Sequence, residues 1–152
     1  MKLSIVIPSY NEEATIEAIV RRAQAVDLGP VEKEIIVVND GSRDGTETVL
    51  KGLPGIRRIA HERNEGKGAA LTTGFQAATG DIVLIQDADL EYDPDDYPVV
   101  IRPIVEGHSD VVIGSRFILY RPKFFGRRRS PYLSHYIGNM LVTSLTNLLY
   151  GK

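Results

Sequence analysis

The segment Ile82-Val-Leu-Ile-Gln-Asp-Ala-Asp-Leu-Glu91 joins an apolar run directly to a pair of aspartates. A short run of Ile, Val and Leu predicts a strand that is buried on both faces, as in parallel sheets. Side chains two residues apart on an extended backbone point the same way, so we expect Asp87 and Asp89 to face one spot beyond the strand. Because open α/β sheets bind ligands at the carboxyl ends of their strands, the segment predicts a ligand site there.

Two neighbouring carboxylates are hard oxygen ligands of the kind that Mg²⁺ or Mn²⁺ prefers. Such a metal is usually completed by phosphate oxygens of a substrate. An isolated Asp-x-Asp is more often a solvated acidic turn, so the metal hypothesis for Asp87 and Asp89 depends on what surrounds them.

The rest of the chain alternates apolar strand patterns with helical ones. Further strands are predicted at residues 3–7, 34–38, 56–60 and 110–114, with helices between them. This alternation favours a single α/β domain with a parallel sheet. Loops rich in Asp, Asn, Gly and Ser follow several strands, and the ends of parallel strands share one edge. We therefore expect Tyr10 and Asp40 to lie near Asp87 and Asp89.

The composition excludes several classes of function. The 152 residues include no cysteine, which rules out thiol nucleophiles, disulfides and Cys-based zinc sites. A net charge of -2 argues against a dedicated nucleic-acid binder. We see no signal peptide and no apolar run of the roughly 20 residues that span a bilayer. The expected location is the cytoplasm, at the inner face of the membrane if the chain meets lipid.

Other candidate motifs are weaker. Gly66-Lys67-Gly68 lacks the spacing and the Ser or Thr of a phosphate-binding P-loop, although a cation at a helix start remains a plausible anion contact. His61, His108 and His135 have no metal-ligand spacing, so surface or structural roles are expected for them.

The C-terminal part of the chain has a different composition. Five basic residues lie between 121 and 129, and residues 130–151 contain no Asp, Glu, Lys or Arg. Apolar residues in that last stretch recur at helical spacing and predict a helix with one apolar face. This helix could cover the sheet, pair with another copy of the chain, or lie at an anionic membrane surface beside the basic residues.

Taken together, five segments resemble family 2 glycosyltransferases with the GT-A fold, in the branch of dolichyl-phosphate mannose synthase-like enzymes. The segments are residues 6–13, 36–46, 64–69, 80–89 and 113–116, and they occur in the family's order. The resemblance implies a three-layer α/β/α fold with a mostly parallel central sheet. It also implies a nucleotide-sugar-binding core at 1–118, with a basic loop and apolar-faced helix at 119–152 in the same domain. From the resemblance we expect the family's acceptor-side C-terminal region to be missing from this sequence.

The resemblance further implies roles for individual residues. Those at the positions that hold the nucleotide base and ribose are Pro8, Tyr10, Glu12, Val38 and Asp40, with Asp40 accepting a hydrogen bond from a base N–H. Those at the Asp-x-Asp segment, which handles the metal, diphosphate and ribose, are Asp87, Ala88 and Asp89. Asp89 and Arg116 are the candidate catalytic residues, and Arg116 would meet a donor or acceptor phosphate. Lys67 and Glu91 are further candidates for donor binding, although mannose synthases often carry Gln where Glu91 stands.

The implied reaction moves a hexose from an NDP-sugar, of the GDP-mannose or UDP-glucose type, to a polyprenyl or dolichyl phosphate with inversion. Such an acceptor oxygen is already anionic near neutral pH, so no strong general base is required. One alternative is a non-catalytic nucleotide-binding or assembly module. A nucleotidyltransferase is disfavoured, because residues 8–13 lack the Gly-rich loop with Arg and Lys that it would be expected to have.

Overall fold

The computed structural model describes residues 1–114, together with 141 and 144. Met1–Ile113 form one compact unit, and the second unit begins at Gly114. In the second unit, Leu141 and Ser144 are helical. The predicted basic loop, the rest of the apolar-faced helix and Arg116 lie outside the described residues.

Four strands and four α-helices alternate along the described chain. The strands are β1 (Lys2–Ser9), β2 (Glu32–Asn39), β3 (Arg57–Ala60) and β4 (Ile82–Ile85). The helices are α1 (Ile16–Ala25), α2 (Thr46–Lys51), α3 (Lys67–Ala77) and α4 (Tyr97–Val105), the last preceded by a 3₁₀ turn at Pro94–Asp96. In the described residues, no helix is long and apolar enough to cross a bilayer.

The strands form one parallel sheet in the order β3-β2-β1-β4. In its centre, Val6 of β1 pairs with Ile36 of β2 on one side and with Ile85 of β4 on the other. The chain builds outward from β1 to β3 and then returns to the far side of β1. This reversal places the topological switch point, where α/β sheets bind ligands, between the carboxyl ends of β1 and β4.

Helices lie on both faces of the sheet and give three layers. Val83 and Ile85 of β4 are nevertheless 43% and 48% exposed, so the prediction that this strand is buried on both faces is wrong: α3 packs over β1 and β2 and, among the described residues, leaves that face of β4 open. On one face, alternate residues of β1 and β2 pack against α1, α2 and α4. The apolar stripe of α1 consists of the buried residues Ile16, Ile19, Val20 and Ala23. On the other face, α3 packs through its small residues Ala70, Gly74 and Ala77. A Cβ on Gly74 would lie 2.3 Å from Val6 Cγ1, so α3 sits against the sheet at a distance that only glycine permits.

A polar network closes the amino end of the sheet. The Glu34 carboxylate accepts hydrogen bonds from Ser4 Oγ at 2.5 Å and from the Thr79 amide at 2.7 Å. Lys2 Nζ lies 2.9 Å from its other oxygen. Burial alone would raise the pKa of Glu34, but the bonds from Ser4, Thr79 and Lys2 lower it to about 2. The network ties the loop after α3 to β1 and β2.

The predicted fifth strand at residues 110–114 is wrong. This segment has no strand pairing, and the side chains of Val111 and Ile113 are 72% and 86% exposed. The Ser109 hydroxyl instead donates to the Val111 carbonyl oxygen at 2.7 Å. Apolar, β-branched residues favour an extended backbone, but a strand also needs a neighbour for its hydrogen bonds, and none of the described residues provides one.

Candidate functional site

A cleft of about 450 Å³ opens at the carboxyl ends of the strands. It lies at the switch point between β1 and β4 and extends to the start of α3. Its walls are Pro8, Ser9, Tyr10, Glu12, Asp40, Asn64, Gly66, Lys67, Ala70, Asp87, Ala88 and Asp89.

Eight of the residues singled out from the sequence line this cleft. They come from the ends of three strands and the start of one helix: Pro8, Tyr10, Glu12, Asp40, Lys67, Asp87, Ala88 and Asp89. Val38 is fully buried on β2, in the core beneath α3, and is not among the lining residues. Glu91 is exposed and also lies outside the lining set.

Asp40 lines the cleft but is only 2% exposed. Its Oδ1 accepts from the Glu65 amide at 2.9 Å, and its Oδ2 accepts from the Gly66 amide at 2.8 Å. Its Oδ1 also lies 2.7 Å from His61 Nδ1. A carboxylate offers about four lone-pair positions, so three partners from this chain leave about one for a ligand.

His61 follows β3 and connects Asp40 to α3. Its second ring nitrogen, Nε2, lies 2.9 Å from Thr73 Oγ1. Burial would raise the pKa of Asp40, but the amides of Glu65 and Gly66 and the His61 ring lower it overall. His61 therefore has the structural role expected for it, and it holds a cleft carboxylate in place.

The loops after β1 and β2 are laced together by hydrogen bonds between side chains and main chain. Asn11, whose φ is 57°, accepts from the Arg43 amide at 2.8 Å. The Glu12 amide donates to Thr46 Oγ1 at 2.8 Å, and the Glu13 amide donates to Asp44 Oδ2 at 3.2 Å. Asp40 also accepts hydrogen bonds from the amides of residues 65 and 66. The loops after β1, β2 and β3 are therefore fixed to one another.

The sequence predicted that Asp87 and Asp89 lie on one extended backbone, and this prediction is wrong. β4 ends at Ile85, and residues 88 and 89 form a turn. Asp89 Oδ1 accepts from the Glu91 amide at 3.0 Å, and Leu90 has a φ of 62°. Asp and Asn side chains commonly bond their own backbone two residues on, which competes with an extended chain. Both aspartates still line the cleft.

The buried amide of Gln86 supports this turn from below. Gln86 Nε2 donates to the carbonyl oxygens of Asp87 and Tyr92 at 2.9 and 3.2 Å. The Tyr97 hydroxyl donates to Gln86 Oε1 at 2.8 Å. Through Gln86, α4 fixes the backbone that carries the two cleft aspartates.

Lys67, the first residue of α3, crosses the cleft to the aspartates. Its Nζ lies 2.6 Å from Asp87 Oδ1. The Lys67 side chain is 59% exposed and that of Asp87 is 22% exposed. This ion pair joins the fixed loops on one side of the cleft to the turn after β4 on the other.

The donor set suits a metal that brings part of its own coordination. No group of three or more His, Cys, Asp or Glu residues that could hold a metal occurs in the described part of the chain. Asp87 and Asp89 supply carboxylates on one wall, which fits Mg²⁺ or Mn²⁺ bound through one or two carboxylates together with substrate phosphates.

Four lining residues were not among the predicted site residues: Ser9, Asn64, Gly66 and Ala70, of which Gly66 belongs to the segment weighed as an anion contact. Ser9 is 2% exposed, and its hydroxyl has no hydrogen-bond partner among the described residues. Ser9 lies between the predicted site residues Pro8 and Tyr10, at the end of a predicted strand, and this position indicates that it lines the same site. The other three follow from the packing of α3, which the sequence does not specify.

Solved structures share this architecture. TarS of Staphylococcus aureus is 28% identical with a TM-score of 0.63, over 72% of this chain and 34% of TarS. Glucosyl-3-phosphoglycerate synthase of Mycobacterium tuberculosis, solved with Mn²⁺, UDP and glucosyl-3-phosphoglycerate, is 34% identical with a TM-score of 0.58. That match covers 68% of this chain and 39% of the synthase. The fold is the GT-A fold, as expected.

The sequence profile described as "Glycosyl transferase family 2" matches residues 4–150. This chain therefore belongs to glycosyl transferase family 2. A UDP-N-acetylglucosamine–dolichyl-phosphate N-acetylglucosaminyltransferase of Methanococcus voltae is 33% identical over 97% of this chain and 62% of its own length. A dolichol-phosphate mannosyltransferase of Pyrococcus furiosus is 36% identical over 78% of this chain and 34% of its own length. The resemblance to the dolichyl-phosphate mannose synthase-like branch is confirmed, and this chain spans less than two thirds of these two relatives.

Proposed function

We propose that this protein binds a nucleoside diphosphate sugar in the cleft and transfers the sugar to a polyprenyl phosphate. The observation that carries the proposal is the meeting of Tyr10, Asp40, Asp87 and Asp89 around one cleft at the switch point of the sheet. The relatives from Methanococcus voltae and Pyrococcus furiosus, whose names specify dolichyl or dolichol phosphate, support the choice of acceptor.

Each wall of the cleft has a part in donor binding. Tyr10 offers an aromatic ring for the base, and Asp40 keeps about one lone pair for a base N–H. Asp87 and Asp89 would hold Mg²⁺ or Mn²⁺, which supplies charge neutralisation at the diphosphate when bound. Lys67 and the amino end of α3 face the same region and favour an anion.

The proposed reaction is a single displacement. An anionic oxygen of the polyprenyl phosphate forms a bond to the anomeric carbon as the bond from that carbon to the diphosphate oxygen breaks. The nucleoside diphosphate leaves with the bonding electron pair, and the anomeric configuration inverts. No proton needs to be removed from such an acceptor, so no general base is assigned. Arg116 is proposed to meet a phosphate of the donor or acceptor.

The acceptor determines where the protein would work. Polyprenyl phosphates are anchored in a membrane, so the proposed enzyme acts at a membrane surface. We place it on the cytoplasmic side of that membrane. The basic residues between 121 and 129 are suited to anionic headgroups.

Calorimetric titration with GDP and UDP, with and without Mn²⁺, tests the proposal. We expect one of them to bind with Mn²⁺ and to bind at least about tenfold more weakly to Asp89→Asn, because a charge-assisted contact contributes roughly 1.5–3 kcal/mol. Asp95→Asn is the matched control, since it removes the same charge from a side chain that is 80% exposed and outside the lining set. Absence of binding by any nucleoside diphosphate would refute the proposal.

The non-catalytic alternative is separated by turnover. We expect transfer from a bound NDP-sugar to a polyprenyl phosphate in detergent, and its loss in Asp89→Asn. Donor binding without transfer or hydrolysis would favour a nucleotide-binding or assembly module instead.

A further inference from the structure

Helix α3 has a positive charge at its amino end, where the helix dipole disfavours one. The first turns of α1 and α2 carry Glu17 and Glu47, and their last turns carry Arg22 and Lys51, as the dipole favours. α3 has no acidic residue in its first turn and begins with Lys67. A lysine at this end of a helix is electrostatically disfavoured, so its position calls for a compensating partner.

Asp87 is that partner. The distance of 2.6 Å between Lys67 Nζ and Asp87 Oδ1 is that of a direct charge-assisted hydrogen bond. By contrast, Asp40 lines the same cleft but is occupied by two backbone amides and an imidazole. Within the described residues, Lys67 is the only hydrogen-bond or ion-pair partner found for the Asp87 carboxylate.

A divalent cation and the Lys67 ammonium compete for the same carboxylate. Mg²⁺ binds a carboxylate oxygen at about 2.0–2.1 Å, and the ammonium group at 2.6 Å from Asp87 Oδ1 would then face a like charge at close range. Metal binding at Asp87 therefore favours movement of Lys67 away from this carboxylate. Its side chain is 59% exposed and lies in the cleft, so it is free to turn toward an anion there.

We propose that Lys67 is an internal counter-ion that occupies Asp87 until metal and diphosphate arrive together, and then transfers its charge to the diphosphate. This inference rests on the proposed function, because it assigns Lys67 a role at the same donor site. This exchange of partners makes metal and nucleotide bind cooperatively. The diphosphate attracts Lys67 away from Asp87, and the metal then binds the Asp87 carboxylate. By linkage, each raises the affinity of the other by the same factor.

The test compares wild type with Lys67→Met in two titrations. Mn²⁺ alone is followed by the electron paramagnetic resonance signal of the free ion. Without the competing ammonium, we expect Lys67→Met to bind Mn²⁺ roughly two- to fivefold more tightly than wild type, as for loss of an exposed ion pair. With Mn²⁺ present, calorimetry should show that GDP or UDP binds the variant about tenfold more weakly, because a charged contact to phosphate is lost.

The opposite signs of the two changes identify the counter-ion. Lys51→Met is the matched control, since Lys51 is 64% exposed, pairs with Glu47 at 3.8 Å and lies outside the cleft, so neither affinity should change. Lys67→Arg, which keeps the charge, should remain close to wild type in the Mn²⁺ titration. If Lys67→Met failed to fold by circular dichroism, Lys67→Gln would replace it.

The outcomes separate the two proposals. If wild type binds a nucleoside diphosphate with Mn²⁺ but Lys67→Met binds Mn²⁺ alone no more tightly, the counter-ion is refuted and the proposed function stands. If no nucleoside diphosphate binds either protein, the proposed function and the transfer to diphosphate both fall. A gain in Mn²⁺ affinity in that case would still show that Lys67 and the metal compete for Asp87.

Discussion

The two ends of the parallel sheet both carry carboxylates, but these carboxylates differ in the number of hydrogen-bond donors around them. At the amino end, Glu34 is surrounded by donors from Ser4, Thr79 and Lys2. At the carboxyl end, and within the described residues, Asp87 pairs with one exposed lysine, and Asp89 accepts from one amide within its own turn. Carboxylates that the chain itself saturates serve the fold, whereas those left short of donors can serve a ligand.

Asp40 shows that position alone does not distinguish the two kinds. It lines the cleft together with Asp87 and Asp89, yet its hydrogen bonding resembles that of Glu34. We therefore expect it to matter for stability as well as for any ligand. The following variants test this distinction, beginning with the largest expected effects on the free energy of unfolding.

Asp40→Ala should have the largest effect. The change leaves the amides of Glu65 and Gly66 and the His61 ring without their acceptor, and unsatisfied buried groups cost roughly 1–3 kcal/mol each. We expect a loss of about 4 kcal/mol in urea unfolding at neutral pH. A loss below about 1 kcal/mol would show that Asp40 is not part of the fold in this sense.

Glu34→Gln should follow, with a clear pH dependence. The folded pKa of Glu34 is about 2 against an ordinary 4.5, so the unfolded chain binds its proton first on acidification. The stabilisation is complete above pH 4.5 and is lost as the pH falls toward 2. Each pKa unit corresponds to about 1.4 kcal/mol, so the variant should be about 3 kcal/mol less stable than wild type at neutral pH.

The same comparison supplies its own control. The difference between Glu34→Gln and wild type should disappear near pH 2 in urea unfolding series. Glu17→Gln breaks an exposed pair with Arg21 and removes a charge from the first turn of α1, so it should change stability by about 1 kcal/mol or less. A pH-independent loss for Glu34→Gln would assign its role to packing rather than to charge.

Asp89→Asn should change stability little. Within the described residues, the change affects only the bond from the Glu91 amide, and an asparagine oxygen can accept the same bond, so we expect a change within about 1 kcal/mol. Thermal unfolding measured beside Asp95→Asn would check this. A large loss would place Asp89 with Glu34 and Asp40, and would make its loss of nucleotide binding uninformative.

Two serines on β1 give the most direct test. Ser4 and Ser9 are both buried, but Ser4 donates to Glu34 and accepts from the Gly80 amide, whereas the Ser9 hydroxyl has no partner among the described residues. Ser4→Ala should cost about 1–2 kcal/mol, and Ser9→Ala should leave stability equal or raise it by up to about 1 kcal/mol. Calorimetric melting of both variants checks this. If Ser9→Ala were less stable than wild type, the Ser9 hydroxyl would have a partner outside the described residues.

Much of the fold could be predicted from the sequence because its signals are local. Runs such as residues 34–38 and 82–85 are short, apolar and bounded by polar loops, and they appear as strands. The segment 110–114 has the same local pattern but is not a strand, because pairing depends on a neighbour that the pattern does not encode. The family resemblance, which depends on segments from all parts of the chain, is what identified the GT-A fold.

The candidate site was predictable in its members more than in its connections. The edge rule for parallel strands brings Tyr10, Asp40, Asp87 and Asp89 to one cleft, as expected. The bonds from Asp40 to His61 and to the loop at 65–66 depend on how β3 and α3 meet, which no spacing rule specifies. The same holds for Lys67, since its contact with Asp87 spans 20 positions of sequence and crosses the cleft.

The laced loops after β1 and β2 have a practical consequence for engineering. Amides such as those of Glu12, Glu13 and Arg43 are engaged before any nucleotide arrives, so they should resist deuterium uptake in the ligand-free protein. A frame that is already rigid adds little ordering entropy to recognition. Redesign of the proposed nucleotide site should therefore begin with single side chains that line the cleft, such as Tyr10 and Asn64, and leave loop length unchanged.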